Sequence, residues 1–251
     1  MSDKKRKNPT FVIMRRELRA YFTSPVAYIV SALFLIVCGV WFFMLNAFYL
    51  QNRAELRGFF GSLPLILSFF VPALTMRLFS EERRVGSIET LMTLPVTEVN
   101  VVLGKYFASL IGTLAMIAPT VFFAVTCEIF GSPDYGPIAG GYLGAIFLAA
   151  SFTAIGLFAS SVTKNQILAF FTGCIICVVL TLLNSMLIFL PAAIVDLLSF
   201  LSISQHFSLI SRGVIDTRDI LYFISLTALF IVLGISWNLR SKNIFFPFSL
   251  R

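Results

Sequence analysis

Six stretches of this chain run for about twenty residues or more with almost no charge, and that pattern leaves few folds open. They are 26–50, 59–78, 102–127, 138–162, 167–190 and 220–239. At about 1.5 Å of rise per residue, a helix of about 20 apolar residues crosses about 30 Å of hydrocarbon. Within that layer only helices and closed barrels satisfy their own backbone. The runs are continuous rather than alternating, which excludes a barrel. Charged residues make up 12% of the chain, about half the share in a soluble domain, and no soluble domain remains once the runs are removed. The expected fold is an all-α membrane protein with six transmembrane helices, one domain over 1–251. The first run follows a basic MSDKKRKNPT without a small-residue cleavage site, so it is read as a retained span rather than a signal peptide.

The net charge of +7 raises the question of nucleic acid, which the placement of the basic residues answers. Fifteen of the 19 lie in 1–25, 77–105, the turn at Lys164 and the C-terminal tail; the alternate loops hold only Arg53, Arg57, Arg212 and Arg218. By the positive-inside rule both termini and the stretch 79–101 face the cytoplasm. The basic excess reads as topology and contact with anionic membrane lipids, with no nucleic acid as partner. Cys38, Cys127, Cys174 and Cys177 all fall in or at the ends of spans. The C-x-x-C of Cys174 and Cys177 lacks neighbouring His or basic residues, so all four read as small buried hydrophobes rather than a metal or redox site.

Ahead of the first span, TFVIMRRELRAYFTSP puts Phe11, Met14, Leu18 and Tyr21 or Phe22 on one helical face. Thr10 is the expected cap and Pro25 the limit. This is read as an N-terminal interfacial helix within 1–25 rather than a purely topogenic tail. Pro64 and Pro72 interrupt the second span, and satisfying the carbonyls they release requires neighbouring helices, so this span is expected at the centre. Gly140, Gly144 and Gly156 lie among Ala and Ser in the fourth, a composition suited to close contact within the chain or between two copies. After the fifth span, 191–216 is too long for a tight turn and too apolar for an exposed loop. Asp196 breaks its apolar run, and Ser204, Gln205 and His206 interrupt it again. Two short helices forming an extracytoplasmic re-entrant helical hairpin are expected, with Asp216 and Asp219 capping the sixth span. His206 reads as a polar loop residue, since no second His or Cys accompanies it.

The most polar long stretch lies between the second and third spans. Glu81 and Glu82 precede Arg83 and Arg84; Gly86 loosens the chain; Ser87 can cap a helix whose Ile88, Leu91 and Met92 share a face; Pro95 ends it. Thr97 then caps the third span, with Glu98 in its first turn. A short amphipathic helix bracketed on a membrane surface suits insertion into a groove on a partner.

The segment EERRVGSIETLMTLPVTEVNVVLGKYFA resembles the signature of type-2 ABC exporter permeases, and FLAASFTAIGLFASSVTKNQILAF with SRGVIDTRDILYFISLTALF resembles their gliding-motility-type subgroup. The resemblance covers nearly the whole chain. It implies that 80–97 is a coupling segment seated on a cytoplasmic ABC ATPase dimer. The residues carried over are Glu81, Glu82, Arg83, Arg84, Gly86, Ser87, Ile88, Glu89, Leu91, Met92 and Pro95. It also implies that the hairpin is an outer gate, where Asp196, His206, Arg212 and Asp216 are the candidates.

No G-x-x-x-x-G-K-[ST] phosphate loop and no H-E-x-x-H occurs, so the chain is expected to be no enzyme and to carry no cofactor, ATP and Mg belonging to the partner ATPase. Six spans are half a transporter, so a second permease is expected, a copy or a relative with a large extracytoplasmic domain, in a bacterial inner membrane. Charges are scarce inside the spans, which argues against a route for a small polar solute. The expected function is export coupled to ATP hydrolysis. The alternatives are mechanotransmission to an extracytoplasmic partner with no cargo crossing the spans, or an ATPase-independent channel or scaffold.

Overall fold

The computed structural model describes residues 8–45, 55–86, 97–131, 133–186, 199–214 and 216–245, and their regular structure is entirely helical. Helix α1 covers Pro9–Thr23 and α2 Pro25–Val40, the latter extended by a π-helical turn at Trp41–Leu45. α3 (Arg57–Thr75) is separated by Met76 alone from α4 (Arg77–Val85). α5 (Glu98–Ile117) passes through a 3-10 turn at Ala118–Thr120 into α6 (Val121–Phe130). α7 (Tyr135–Val162), α8 (Gln166–Met186), the short α9 (Ile203–Ser211) and α10 (Thr217–Phe245) complete the order.

Among the described residues six stretches are long and apolar enough to cross a bilayer: Pro25–Met44, Arg57–Val85, Glu98–Phe130, Tyr135–Val162, Gln166–Met186 and Thr217–Arg240. The all-α membrane fold follows, as the apolar runs require. Several helices outrun the expected spans, because polar residues close an apolar window without stopping a helix. Thus the second continues past 78 through Glu81–Arg84, the third starts at Glu98, and the sixth extends to Phe245. Of the expected spans and hairpin, 46–50, 187–190 and 191–198 lie outside the described residues.

α7 is the hub, packed against α3, α4, α5, α8, α9 and α10. In the apolar stretches of the second and fourth spans 67% and 72% of residues are buried, against 17% in the first and sixth. The two-proline helix is therefore central, as expected. Lipid tails are as apolar as leucine, so such packing depends on close contact and small residues rather than on a hydrophobic drive. The glycines of α7 supply it within the chain. A Cβ on Gly140 would lie 2.3 Å from the Ile210 carbonyl oxygen; on Gly141, 2.4 Å from the Phe60 ring; on Gly156, 2.0 Å from Thr75 Oγ1. At one end of the bundle Phe42 stacks on Phe123 at 5.1 Å between ring centroids, and Phe59 meets Phe123 edge-on at 5.4 Å. Each such pair contributes about 0.5–1.5 kcal/mol beyond its buried area. All four cysteines are free and buried; Cys174 Sγ lies 4.0 Å from the Phe69 carbonyl oxygen.

α1 lies against α5. Phe11 and Phe22 are exposed, and the face turned to the protein carries Thr10, Ile13, Glu17 and Tyr21. α5 offers the complementary notches: a Cβ on Gly104 would meet Ile13 at 2.9 Å, and one on Gly112 would meet the Tyr21 ring at 2.6 Å. Thr10 does not cap the helix. Asn8 occupies the N-cap position ahead of Pro9, and the Thr10 hydroxyl donates to Asn100 Oδ1 at 3.0 Å. A docking partner, absent from any reading of one helix alone, decides which face turns inward. Burial pushes the Tyr21 phenol well above its ordinary pKa.

Candidate functional site

The end of the bundle that carries α1, α4 and the C-terminal part of α10 is termed the near end, and the opposite end the far end. At the near end one buried hydroxyl of α7 bonds three backbone groups at the junction of α3 and α4. The backbone N–H groups of Phe79 and Ser80 donate to Ser160 Oγ at 2.8 and 3.2 Å, and that hydroxyl donates to the Met76 carbonyl oxygen at 3.1 Å. Ser160 is fully buried on α7. A break in a helix exposes backbone groups that must find partners, and here the hub helix supplies them. α4 ends at Gly86, whose φ of 76° is the left-handed C-cap conformation that glycine adopts without a Cβ penalty. Arg83 and Arg84 occupy its last turn, where cations suit the helix dipole. The chain resumes at Thr97, whose Oγ1 accepts from the Asn100 N–H at 3.4 Å to cap α5, with Glu98 in the first turn as expected.

Between these ends lies a buried ion cluster. Lys105, one turn beyond the buried Val101, is only 1% exposed, and a buried ammonium is tolerated when its donors are matched. Its Nζ donates to the Leu78 carbonyl oxygen at 2.7 Å and to Glu82 Oε1 at 2.8 Å, and lies 3.3 Å from Glu17 Oε1. It also sits 5.1 Å from the centroid of the Phe79 ring. Arg16 Nη2 reaches both carboxylates from the rim at 3.6 Å, its side chain 64% exposed. Two cations and two anions cancel, and α1, α4 and α5 meet in one place. The Arg16 contacts are solvated and contribute little. Removing Lys105 would leave two carboxylates facing each other, which costs about 3–5 kcal/mol for a broken buried pair.

A third tie reaches α10. Arg83 Nη2 donates to Asn238 Oδ1 at 2.9 Å, and Asn238 Nδ2 donates to the Gly234 carbonyl oxygen at 2.9 Å. The charged quartet of α4 is thus divided. Glu82 and Arg83 turn inward to Lys105 and Asn238, while Glu81, Arg84 and the 70%-exposed Val85 face outward. Of the other coupling candidates Gly86 is the exposed C-cap, and Ser87, Ile88, Glu89, Leu91, Met92 and Pro95 lie outside the described residues.

Sequence reasoning passed over Glu17, Ser160 and Asn238. Glu17 was legible in principle, as the sole acid of MRRELR facing a chain whose third span holds a lone Lys; an ammonium there needs a carboxylate from elsewhere.

At the far end His206 corrects the loop reading. It is a buried member of α9, with Nδ1 2.6 Å from Asp219 Oδ1 and Nε2 2.9 Å from the Phe200 carbonyl oxygen. Its ring stacks on Tyr222, centroids 4.1 Å apart, and the Tyr222 hydroxyl donates to the Leu201 carbonyl oxygen at 2.7 Å. Asp219 therefore is a buried partner of His206. Asp216 is the cap, its Oδ1 accepting from the Arg218 N–H at 3.0 Å. The sequence shows both acids in a first-turn position but not which one points inward. Arg212 and Asp216 are exposed, and Asp196 lies outside the described residues. Among the described residues no group of three or more His, Cys, Asp or Glu side chains could hold a metal ion.

No curated protein matches the chain. The family model described as ABC-2 family transporter protein matches residues 11–242, from the second turn region of α1 to the last turns of α10, and so takes in both ends of the bundle. The chain belongs to the ABC-2 transporter family, as a multi-pass transmembrane permease subunit whose family implies a partner ATPase.

Proposed function

We propose that this permease couples ATP hydrolysis by a separate, cytoplasmic ABC ATPase dimer to export across a bacterial cytoplasmic membrane. The near end and both termini face the cytoplasm, α1 lies along the inner leaflet, and 80–97 is the segment on which the ATPase acts. ATP and Mg are bound by the partner, and this chain performs no catalysis. A second permease completes the assembly, and the gliding-motility-type resemblance makes a distinct relative with a large extracytoplasmic domain the preferred partner. The far-end hairpin serves as the outer gate.

The observation that carries this reading is the division of α4. A helix entering a segment of the right position and character is tied to α1, α5, α7 and α10 through Glu82, Ser160 and Arg83, while Glu81 and Arg84 face outward. A displacement of 87–96 is then passed to three spans and the amphipathic helix at once, as discrete rearrangement of packed elements requires. The test is co-purification of the native complex and its ATPase activity. Wild type should retain an ATPase that Leu91→Asp releases, while Lys105→Met should keep the ATPase bound and lose transport-linked stimulation. Retention of the ATPase by Leu91→Asp with normal stimulation rejects the coupling role of the segment.

One observation favours a second reading, in which the same stroke works an extracytoplasmic partner without cargo in the spans. Hydroxyls inside the bundle serve one another rather than a lumen: Thr113 and Thr153 are 3.4 Å apart and Ser151 and Thr227 3.1 Å apart. Vectorial movement of an amphipathic or lipid-linked molecule in reconstituted vesicles supports export; ATP-dependent rearrangement of the outer partner without such movement supports transmission.

A further inference from the structure

The hydrogen-bond inventory of His206 fixes more than its position. The Phe200 carbonyl oxygen can only accept, so Nε2 carries a hydrogen. Nδ1 faces a carboxyl oxygen at 2.6 Å, so the ring and Asp219 hold one further proton between them. With that proton present both ring nitrogens are satisfied, and the ring ties the segment leading into α9 to the start of α10. If it departs to water, a neutral imidazole with one N–H is left facing two acceptors, and one bond must be lost.

Among the described residues no other ion pair reaches His206 or Asp219. α8, packed against α9, contains no Asp, Glu, Lys or Arg along Gln166–Met186. Arg57 at the start of α3, Asp134 ahead of α7, Arg212 at the end of α9, and Asp216 and Arg218 at the start of α10 are exposed and form no ion pair with either member. The other titratable groups on the packed elements include Tyr222, stacked on the ring, Tyr142 of α7, which donates to the Thr120 carbonyl oxygen at 2.7 Å, and the buried thiols Cys174 and Cys177 of α8. Asp219 Oδ2 and Ser202 Oγ are buried and have no hydrogen-bond partner among the described residues.

We propose that His206 and Asp219 form a proton-binding latch, which holds the α9 arm to α10 while the shared proton is bound and releases it when the proton leaves. Acid leaves the arm tied, because a protonated Asp219 still accepts from Nδ1–H through Oδ1; alkali unties it. The outward orientation proposed above matters only for which solution sets the proton's activity. In a detergent-solubilised complex both faces see one pH, so the latch is tested apart from orientation and from ATPase docking.

Hydrogen–deuterium exchange of residues 203–211 in that complex, corrected for the intrinsic pH dependence of amide exchange, tests the latch between about pH 5 and about pH 9. In the wild type, corrected exchange should be roughly tenfold or more faster at the alkaline end, the loss of one buried charge-assisted bond. Asp219→Asn, whose amide accepts from Nδ1–H through its oxygen and can turn to donate its N–H to a bare Nδ1, keeps the tie in both states and should remove the pH dependence. Flat corrected exchange in the wild type, or unaltered pH dependence in Asp219→Asn, overturns the latch. Should that variant fail to assemble, the wild type still decides the matter, because the chain has 1 histidine. The ring nitrogen-15 signals of His206 must change over the same pH interval as the exchange, and a change elsewhere or none at all overturns the proposal.

Discussion

At the near end Lys105 is surrounded by two carboxylates and a carbonyl, with Arg16 at the rim; at the far end His206 meets one carboxylate and a carbonyl and no second ion pair. The first cluster matches two basic side chains with two acidic ones, whereas in the second one imidazole faces one carboxyl group. Each joins elements distant in sequence, α1, α4 and α5 in one case and α9 and α10 in the other. Under the coupling and the latch proposed above, burying charge in this bundle serves two ends: a fixed joint that transmits displacement, and a conditional one that lets an arm go.

The comparison breaks most visibly at Lys105. Lys105→Met should lower the stability of the purified complex by about 3–5 kcal/mol, read as the denaturant midpoint in mild detergent, because Glu17 and Glu82 lose their shared cation. Adding Glu17→Gln and Glu82→Gln should recover most of that loss, since a neutral cluster needs no counter-charge. Recovery of ATP-driven function alongside stability would show that the ions serve packing alone. A smaller effect is expected from Gly140→Leu, whose side chain would meet the Ile210 carbonyl oxygen and lift α9 off α7. It should cost about 1–3 kcal/mol and speed exchange across α9 while leaving exchange in α4 unchanged; a matching change in α4 would mean the two ends are not separable. The smallest effect belongs to Arg84→Ala, an exposed end residue that should alter stability by no more than about 0.5 kcal/mol. Its proposed consequence is weaker ATPase retention on co-purification, and equal retention would remove Arg84 from the docking surface.

Much of this was legible in the residues. Spans are written as continuous apolar runs because every residue in the hydrocarbon must be tolerable there, and the two-proline run was rightly placed at the centre because released carbonyls need protein around them. What a single chain does not spell out is pairing. Periodicity put Phe11, Met14, Leu18 and Tyr21 or Phe22 on one face of α1, but it does not say that Tyr21 fits the notch at Gly112 or that Ile13 fits the one at Gly104. Adjacent charges in SEERR look alike on paper, and only Lys105 and Asn238 decide that Glu82 and Arg83 turn inward. The same holds for Asp216 and Asp219, where the inward direction follows from a histidine 13 positions before Asp219. Helix ends were missed for a further reason: hydropathy measures where lipid stops, while a helix stops where its backbone is capped, as at Gly86.

Ser160 and Gly140 sit near opposite ends of α7, an uninterrupted helix of 28 residues, about 42 Å long at the usual rise. One grips the exit of the second crossing and the other bears directly on the backbone of the short arm. Both attachments are therefore built on one continuous helix, each gripping its own neighbour at its own end.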